Sequence, residues 1–408
     1  MGAATTAPTA SSVQPTTETT TVSRTFETVW SELERRHAWR IVEKEVHNPA
    51  LEIARIPYAW QDFDNRNAAS FREKHGLLEL IAGAADDWEA ILRLRHWVFM
   101  NVRDGQPSWP LSGHEPAQIV DASLHGATFY CTYFAYTFAA AASACGFPAR
   151  HLGIDVLRKP HEPGAHHGVA DVWVNKYRKW VHVDPNYDHH YELDGIPLNA
   201  EEIGQAWRRN QGLGIVGLVG PEKREAERPR AGIAGKHESA CFYWHYIDTL
   251  NDFFHRKNLT WPEPVVFLVD EERKRNTWLQ GNPPNTYPHK RYENGTFITT
   301  ERTADAYPDL NCTQFDLMPP EKVPYLVRVV FGRTCVPNFS HYVARVDGGT
   351  PQPIRGMEFP WQLKLGENRV EFRAINLAGH EGPPSRLALH VERLSAQTPG
   401  WPTKKSVN

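Results

Sequence analysis

The stretch that most constrains this chain is "FYCTYFAYTFAAAASACG", residues 129–146, which is apolar almost all round. A helix without a polar face has to be enclosed on every side, so the pattern predicts a central helix rather than a surface one. Gly146, with Phe147-Pro148 beyond it, is a stop signal. Enclosing such a helix needs a sizeable core. A chain of 408 residues, 41% hydrophobic and 23% charged, can build one and has room for two or three domains.

Other segments fall around that helix. "DDWEAILRLRHWVFMNV" opens on Asp86 and Asp87 and repeats apolar residues at Trp88, Ile91, Leu94 and Val98, the spacing of an amphipathic helix. "GVADVWV" and "KWVHVD", separated by "NKYR", predict a hairpin. Between about Ile203 and Pro320 the sequence reads as a loop "GPEKREAERPRAG", an aromatic helix "ACFYWHYIDTLNDFF" and a strand "GTFITT". From Glu321 the pattern changes to short alternating runs such as "YLVRVVF", "HYVARV" and "RLALHV". In "RVEFRA", Val370, Phe372 and Ala374 share one face and Glu371 and Arg373 the other, as a half-buried strand requires. The expected division is a disordered tail over 1–22, a cysteine-bearing domain over 23–320, a small β-sandwich over 321–396 and a tail over 397–408.

A net charge of -3 gives no electrostatic reason to expect nucleic acid or an anionic membrane surface as partner. No apolar run approaches the roughly 18 residues of a membrane span. The tail "MGAATTAPTASSVQPTTETTTVS" has almost no large apolar residues; such tails often follow a cleaved export signal, so the expected location leans to extracytoplasmic or secreted. The five cysteines (131, 145, 241, 312 and 335) are too few for a disulfide scaffold and lack paired zinc spacing, although Cys312 and Cys335 could bridge.

Cys131 opens the central helix. A thiol becomes nucleophilic when deprotonated, and a helix N-terminus beside an imidazole lowers its pKa from about 8.5. Cys145 falls at the negative end of the same dipole and is expected to be buried and inert. A base held by a third group is the next requirement. In "HGVADVWVNKYRKWVHVDP", His167 precedes one strand and Asp184 ends the other. A two-residue turn at Asn175-Lys176 would set them opposite each other; a four-residue loop from Asn175 to Arg178 would make them diagonal neighbours on the same face. A loop of odd length would separate them.

These blocks resemble the transglutaminase-like superfamily. "CTYFAYTFAAAASACGFPARHLGI" is similar to its cysteine helix ending in Gly-Ile-Pro-Ala-Arg, "HGVADVWV" to its His-x-x-x-Glu-Val element, and "KWVHVDP" to its Trp-x-x-Val-Asp-Pro element, over roughly Asp86 to Asn199. The resemblance implies an α+β fold: a papain-like core with a buried cysteine helix packed on an antiparallel sheet, beside the all-β sandwich. It also implies Cys131 as nucleophile, His167 as base and Asp184 as its orienting carboxylate. Two departures stand out: Phe129 and Tyr130 precede the cysteine where the family has a nearby glycine, and Asp171 replaces the usual Glu, a change expected to be harmless. The backbone N–H of Cys131 is the natural first oxyanion donor. Gln118 and Trp109 are candidates for the second, and Trp109, Tyr130 and Tyr187 could line a substrate cleft. Trp173 and Tyr133 are expected in the core, and His166 is expected to be a solvated neighbour on the opposite strand face.

The expected chemistry is attack of Cys131 on an amide or peptide carbonyl, a thioester, and release to water, making an amidase or peptidase. Release to lysine would make a cross-linking enzyme. No Asp/Asn-Gly loop suggests calcium sites of the kind used by animal cross-linking enzymes, so hydrolysis is favoured and no cofactor is required. A metal site of His167, His182 and Asp184 is the weaker alternative, since its spacing is not that of a helical zinc motif. A further alternative is a non-catalytic adhesion protein, because "LGENRVEFRAINLAG" resembles bacterial Ig-like or fibronectin-like modules. The expected partner is a protein, peptide or cell-surface polymer substrate.

Overall fold

The computed structural model describes residues 24–37, 39–106, 115–155, 166–225, 242–254, 264–280, 297–318, 323, 325–332 and 335–393. Both predicted tails, 1–22 and 397–408, lie outside the described residues.

The fold mixes α and β. The cysteine helix, Cys131–Ala144, is buried along its whole length from Phe134 to Ala144. Its run Ala139–Ala142 has no bulk, so the backbone can approach its neighbours closely. Helix Asp87–Asn101 packs against it, starting at Asp86, whose side chain accepts from the Glu89 amide at 3.0 Å. On another side lies a six-stranded sheet ordered Phe297–Thr300, Val265–Leu268, Trp244–Asp248, Ala149–Asp155, His166–Val174 and Lys179–Val183. Its first two strands pair in parallel and the rest antiparallel. Ala170, Val172, Val174, Val181 and Val183 face the helix, and Leu152, Ile154 and Val169 line a second core on the other face.

The hairpin takes the longer of the two anticipated loops. Val174 pairs with Lys179 and Ala170 with Val183, leaving four residues, 175–178, in the turn. Arg178 closes it in the left-handed region at φ 50. The even count keeps His167 and Asp184 on one face.

The aromatic segment anticipated as a helix is instead the strand Trp244–Asp248, which pairs with Ala149–Asp155. Its side chains are buried on both faces of a covered sheet, so the run lacks alternation and periodicity cannot separate it from a buried helix.

The C-terminal strands form a five-stranded sheet and a three-stranded sheet that share one core, with Val370, Phe372 and Ala374 buried in it. The N-terminal segment belongs to this unit rather than to the cysteine domain where 24–47 was expected. Helix Arg24–His37 inserts Phe26, Val29, Trp30 and Leu33 into the same core, and strand Trp39–His47 pairs antiparallel with Ser385–Arg393. Strand Phe315–Met318, placed before the expected boundary, joins the three-stranded sheet. A strand can only satisfy its backbone groups by pairing, and the partner for the N-terminal one is supplied by the far end of the chain.

The two units meet at the C-terminal end of the cysteine helix. Asn376 Nδ2 donates to the Gly146 carbonyl at 2.8 Å, His380 Nε2 lies 2.8 Å from the Cys145 carbonyl, and the Phe147 and His380 rings stack at 4.2 Å. Gly146, at φ 89, leaves no room for a side chain: a Cβ there would lie 2.2 Å from Ala378 Cβ. The unpaired carbonyls of the helix terminus thus find donors in the neighbouring unit.

Candidate active site

Cys131 is the first helical residue, with Tyr130 as N-cap in an extended conformation. The helix tip is pressed against strand His166–Val174 at Gly168. A Cβ at that position would fall 2.6 Å from Thr132 Oγ1 and 2.7 Å from Thr132 Cα, so only glycine permits the approach. As a result the Gly168 amide donates to Cys131 Sγ at 3.2 Å. Burial pushes the thiol pKa up, but the hydrogen bond and charge of His167, together with this amide, outweigh it and bring the pKa down to about 7. Cys145, at the other end of the helix, is buried and pushed up to about 12.

His167 Nε2 lies 2.6 Å from Asp184 Oδ2, both side chains being buried. With Nε2 engaged by Asp184, Nδ1 is the ring nitrogen left to interact with the Cys131 thiol, and each of the two groups shifts the other's pKa. Burial disfavours charge on His167, yet Asp184 and the thiol hold its pKa well above the ordinary imidazole value. The Asp184 carboxyl, though desolvated, is held well below the usual range by the His167 imidazolium. Its Oδ1 accepts from the amides of Asn186 at 2.9 Å and Tyr187 at 3.3 Å, and its backbone exchanges hydrogen bonds with His189. The loop 184–189 therefore fixes the carboxylate through Oδ1 and leaves Oδ2 to His167.

That loop is held in turn by Arg95, which is fully buried. Its Nε donates to Asp188 Oδ1 at 2.8 Å, one Nη lies 2.8 Å from His190 Nδ1, and the other donates to the Gly220 carbonyl at 3.0 Å. His96 adds a contact to Asp188 Oδ2 at 2.7 Å. Sequence reasoning missed Arg95 and Asp188. The signal was present: Arg95 lies four residues after Ile91 and three before Val98, within the apolar stripe of its helix, where a charge needs a buried partner.

The family model described as the transglutaminase-like superfamily matches residues 76–185, a span that begins just before the two helices flanking the cysteine helix and ends one residue past Asp184. Over residues 76–185 the chain is similar to the transglutaminase-like superfamily. No curated protein matches the chain. Among solved structures, a red sea bream transglutaminase aligns at 10% identity over 88% of this chain and 78% of that chain, with a TM-score of 0.24, too low for the superposition to bear on the site.

Around this transglutaminase-like region the remaining candidates are distributed unevenly. The Tyr187 ring stacks on His167 at 5.4 Å, and Tyr130 is exposed beside the cysteine, with its hydroxyl bonded to Gln106. Gln118 is exposed on helix Pro116–Leu124. Trp109 and His161 lie outside the described residues, as does Cys241. Trp173 is buried with its indole N–H on Asn175, and Tyr133 is half-buried against the helical core. His166 is not a solvated neighbour: its Nδ1 lies 2.7 Å from the buried Asp155. The reason is register, since Asp155 is its directly facing residue on the adjacent strand.

His182 is buried, with neither ring nitrogen hydrogen-bonded, and burial drives its pKa well below the ordinary value. It packs edge-on against Phe242 at 4.9 Å. Among the described residues no group of three or more His, Cys, Asp or Glu is arranged to hold a metal ion. Cys312 and Cys335 are free thiols, and Cys312 Sγ accepts from Arg178 Nε at 3.3 Å.

Proposed function

We propose that this chain is a thiol acyl-transfer enzyme with a Cys131, His167 and Asp184 triad on a papain-like core, and that it hydrolyses amide or peptide bonds. One observation carries the reading: the imidazole bonded to Asp184 at 2.6 Å sits close enough to the thiol at the positive end of a buried helix for its charge to lower the thiol pKa. At neutral pH the pair exists in large part as thiolate and imidazolium, because the thiol pKa has come down and the imidazole pKa has gone up. Cys131 attacks the carbonyl carbon. The oxyanion forms beside the Cys131 backbone N–H, which has no intrahelical acceptor at the first helical position. His167 then gives its proton to the departing amine, the C–N bond breaks and a thioester remains. Water, deprotonated by the now neutral His167, attacks the thioester and releases the carboxylic acid and the thiolate.

Water is favoured as acceptor because Cys131 is only half-buried and the neighbouring Tyr130 stands exposed, so the thioester is open to solvent. Tyr130 and Tyr187 flank the sulfur and the imidazole and are assigned to substrate contact. The substrate class is a protein, peptide or amide-bearing cell-surface polymer.

The test is product profiling by mass spectrometry on a proteome-derived substrate mixture. Cys131→Ala and His167→Ala should each abolish release of ammonia or amine fragments. Retained release in either variant would overturn the triad, and covalently joined products in place of acids would assign cross-linking instead.

A further inference from the structure

On the sheet face that carries the cysteine helix, side chains form successive rows leading to the helix tip. In the first, Tyr136 of the helix and His151 both reach Asp248, at 3.2 and 2.9 Å. In the second, Gly153 faces Gly168 on one side and Tyr246 on the other. In the third, Asp155 faces His166. The two glycines open the space between helix tip and sheet. A Cβ on Gly153 would lie 2.8 Å from His166 Cε1, so the imidazole rests directly over that residue. Asp155 binds His166 Nδ1 with Oδ1 and accepts the Tyr246 hydroxyl on Oδ2. Asp155 and Tyr246 are buried, whereas the His166 side chain is 25% exposed. Two residues along the same face, the Gly168 amide touches Cys131 Sγ, and the His166 charge acts on that sulfur.

Building on the assignment of Cys131 as nucleophile, we propose that His166 is a second imidazole of the site, a positioning residue held by Asp155 and Tyr246, whose positive charge stabilises the Cys131 thiolate from the face opposite His167. The two histidines divide the work. His167 moves protons, and so loses its charge during turnover. His166 is anchored to a buried carboxylate and keeps its charge through the cycle, so the sulfur meets a cation even when His167 is neutral. Asp155, Tyr246 and Cys131 are the titratable groups on the His166 side of the strand, and the charge of its neighbour His167 reaches it from the other side. Burial works against its charge, and Asp155 more than offsets this, raising its pKa.

The test needs no substrate. Alkylation of the full chain by iodoacetamide, a neutral probe, is followed at Cys131 by peptide mass spectrometry between pH 5 and 9. The wild type should titrate near pH 7. His166→Gln should move the midpoint upward and slow labelling at pH 6 by roughly three- to tenfold. His166→Lys, which restores a positive charge, should stay near the wild type. Asp155→Asn should shift the midpoint in the same direction as Gln and covers the case in which His166→Gln does not fold. A wild-type midpoint near 7 with no change in His166→Gln, or Lys behaving as Gln does, overturns the inference and leaves the triad standing. A wild-type Cys131 that labels as an ordinary thiol overturns both.

Discussion

Arg95 and Asp188 form a fully buried ion pair, Nε to Oδ1 at 2.8 Å, that ties helix Asp87–Asn101 to the loop carrying Asp184. Asp188 sits in the left-handed region at φ 53, a conformation that Asp tolerates better than most residues. The loop's shape, and with it the aim of the Asp184 carboxylate, therefore depends on a guanidinium one element away.

Replacing Arg95 by Met should leave the Asp188 charge buried with only His96 beside it. The expected cost is about 3–5 kcal/mol of unfolding free energy, measured by urea denaturation. Misplacing the carboxylate should lower kcat roughly a hundredfold with little change in KM. Arg95→Met combined with Asp188→Asn removes the stranded charge and keeps a residue that accepts the left-handed turn, so stability should largely return while kcat stays low. Full recovery of kcat in the double variant would show that Arg95 does not orient the loop.

Gly168→Ala should act on the Cys131 thiol without touching any charged group. Its Cβ would meet Thr132 backbone and side-chain atoms at 2.6–2.9 Å, and backbone cannot swing aside as a flexible side chain can. The helix tip has to back away, which breaks the amide contact to Cys131 Sγ. Destabilisation of about 1–3 kcal/mol is expected, with Cys131 alkylation at pH 6 slowed severalfold. Unchanged alkylation with a lowered melting temperature would mean that the contact is packing alone.

What was legible in the sequence follows the range of the interactions involved. The cysteine helix and the hairpin carry their signals locally, in an all-apolar run with a glycine stop and in two valine-rich runs around a polar turn. Register was left with two even-length choices, and tertiary packing selected the four-residue loop. The strand Trp244–Asp248 was misread because burial on both faces erases alternation. The pairing of Trp39–His47 with Ser385–Arg393 was invisible, since nothing in either segment names a partner more than 300 residues away. The anchoring of His166 by Asp155 needed the register of a third strand, whereas Arg95 could have been found from its place in an apolar stripe.

The pH dependence follows from the directions of two shifts. The Cys131 thiol is lowered to about 7 and the His167 imidazole is raised, so the thiolate–imidazolium pair gains population as pH rises through about 7 and is lost when His167 deprotonates. Acyl transfer should follow a bell-shaped profile whose acid limb lies near 7 rather than near 9. For folding, the sign differs between partners. The raised His167 contributes stability below its unfolded pKa that fades as pH climbs through its folded value. The depressed Asp184 contributes stability above its unfolded pKa that fades as pH falls through its folded value. Denaturation midpoints measured on both sides of neutrality should fall in His167→Ala, and an acid limb near 9 would exclude the lowered thiol.

The Arg150–Asp171 pair gives the last prediction. Both residues are fully buried, facing each other across adjacent strands at 3.0 Å, and the guanidinium lies 4.0 Å over the Trp180 ring while donating to the Ala306 carbonyl. The family pattern has Glu where Asp171 stands, and the sequence alone suggests that the shorter acid is neutral. The structure argues that here it is required. Arg150 is pinned by the indole and the carbonyl, so its position is set independently of the acid, and the extra methylene of Asp171→Glu would have to overlap the guanidinium or push the strands apart. The variant should lose about 1–3 kcal/mol by overpacking, with an unaltered Cys131 alkylation profile. Arg150→Met should cost more, about 3–5 kcal/mol, because it strands the Asp171 carboxyl, whose pKa burial already raises against the pull of Arg150. Arg150→Lys should recover little, since an ammonium cannot stack on the indole and fork to both acceptors at once. A Glu variant as stable as the wild type in thermal denaturation would show that the strands yield at this point and that the match of acid length to a fixed guanidinium is not what holds them.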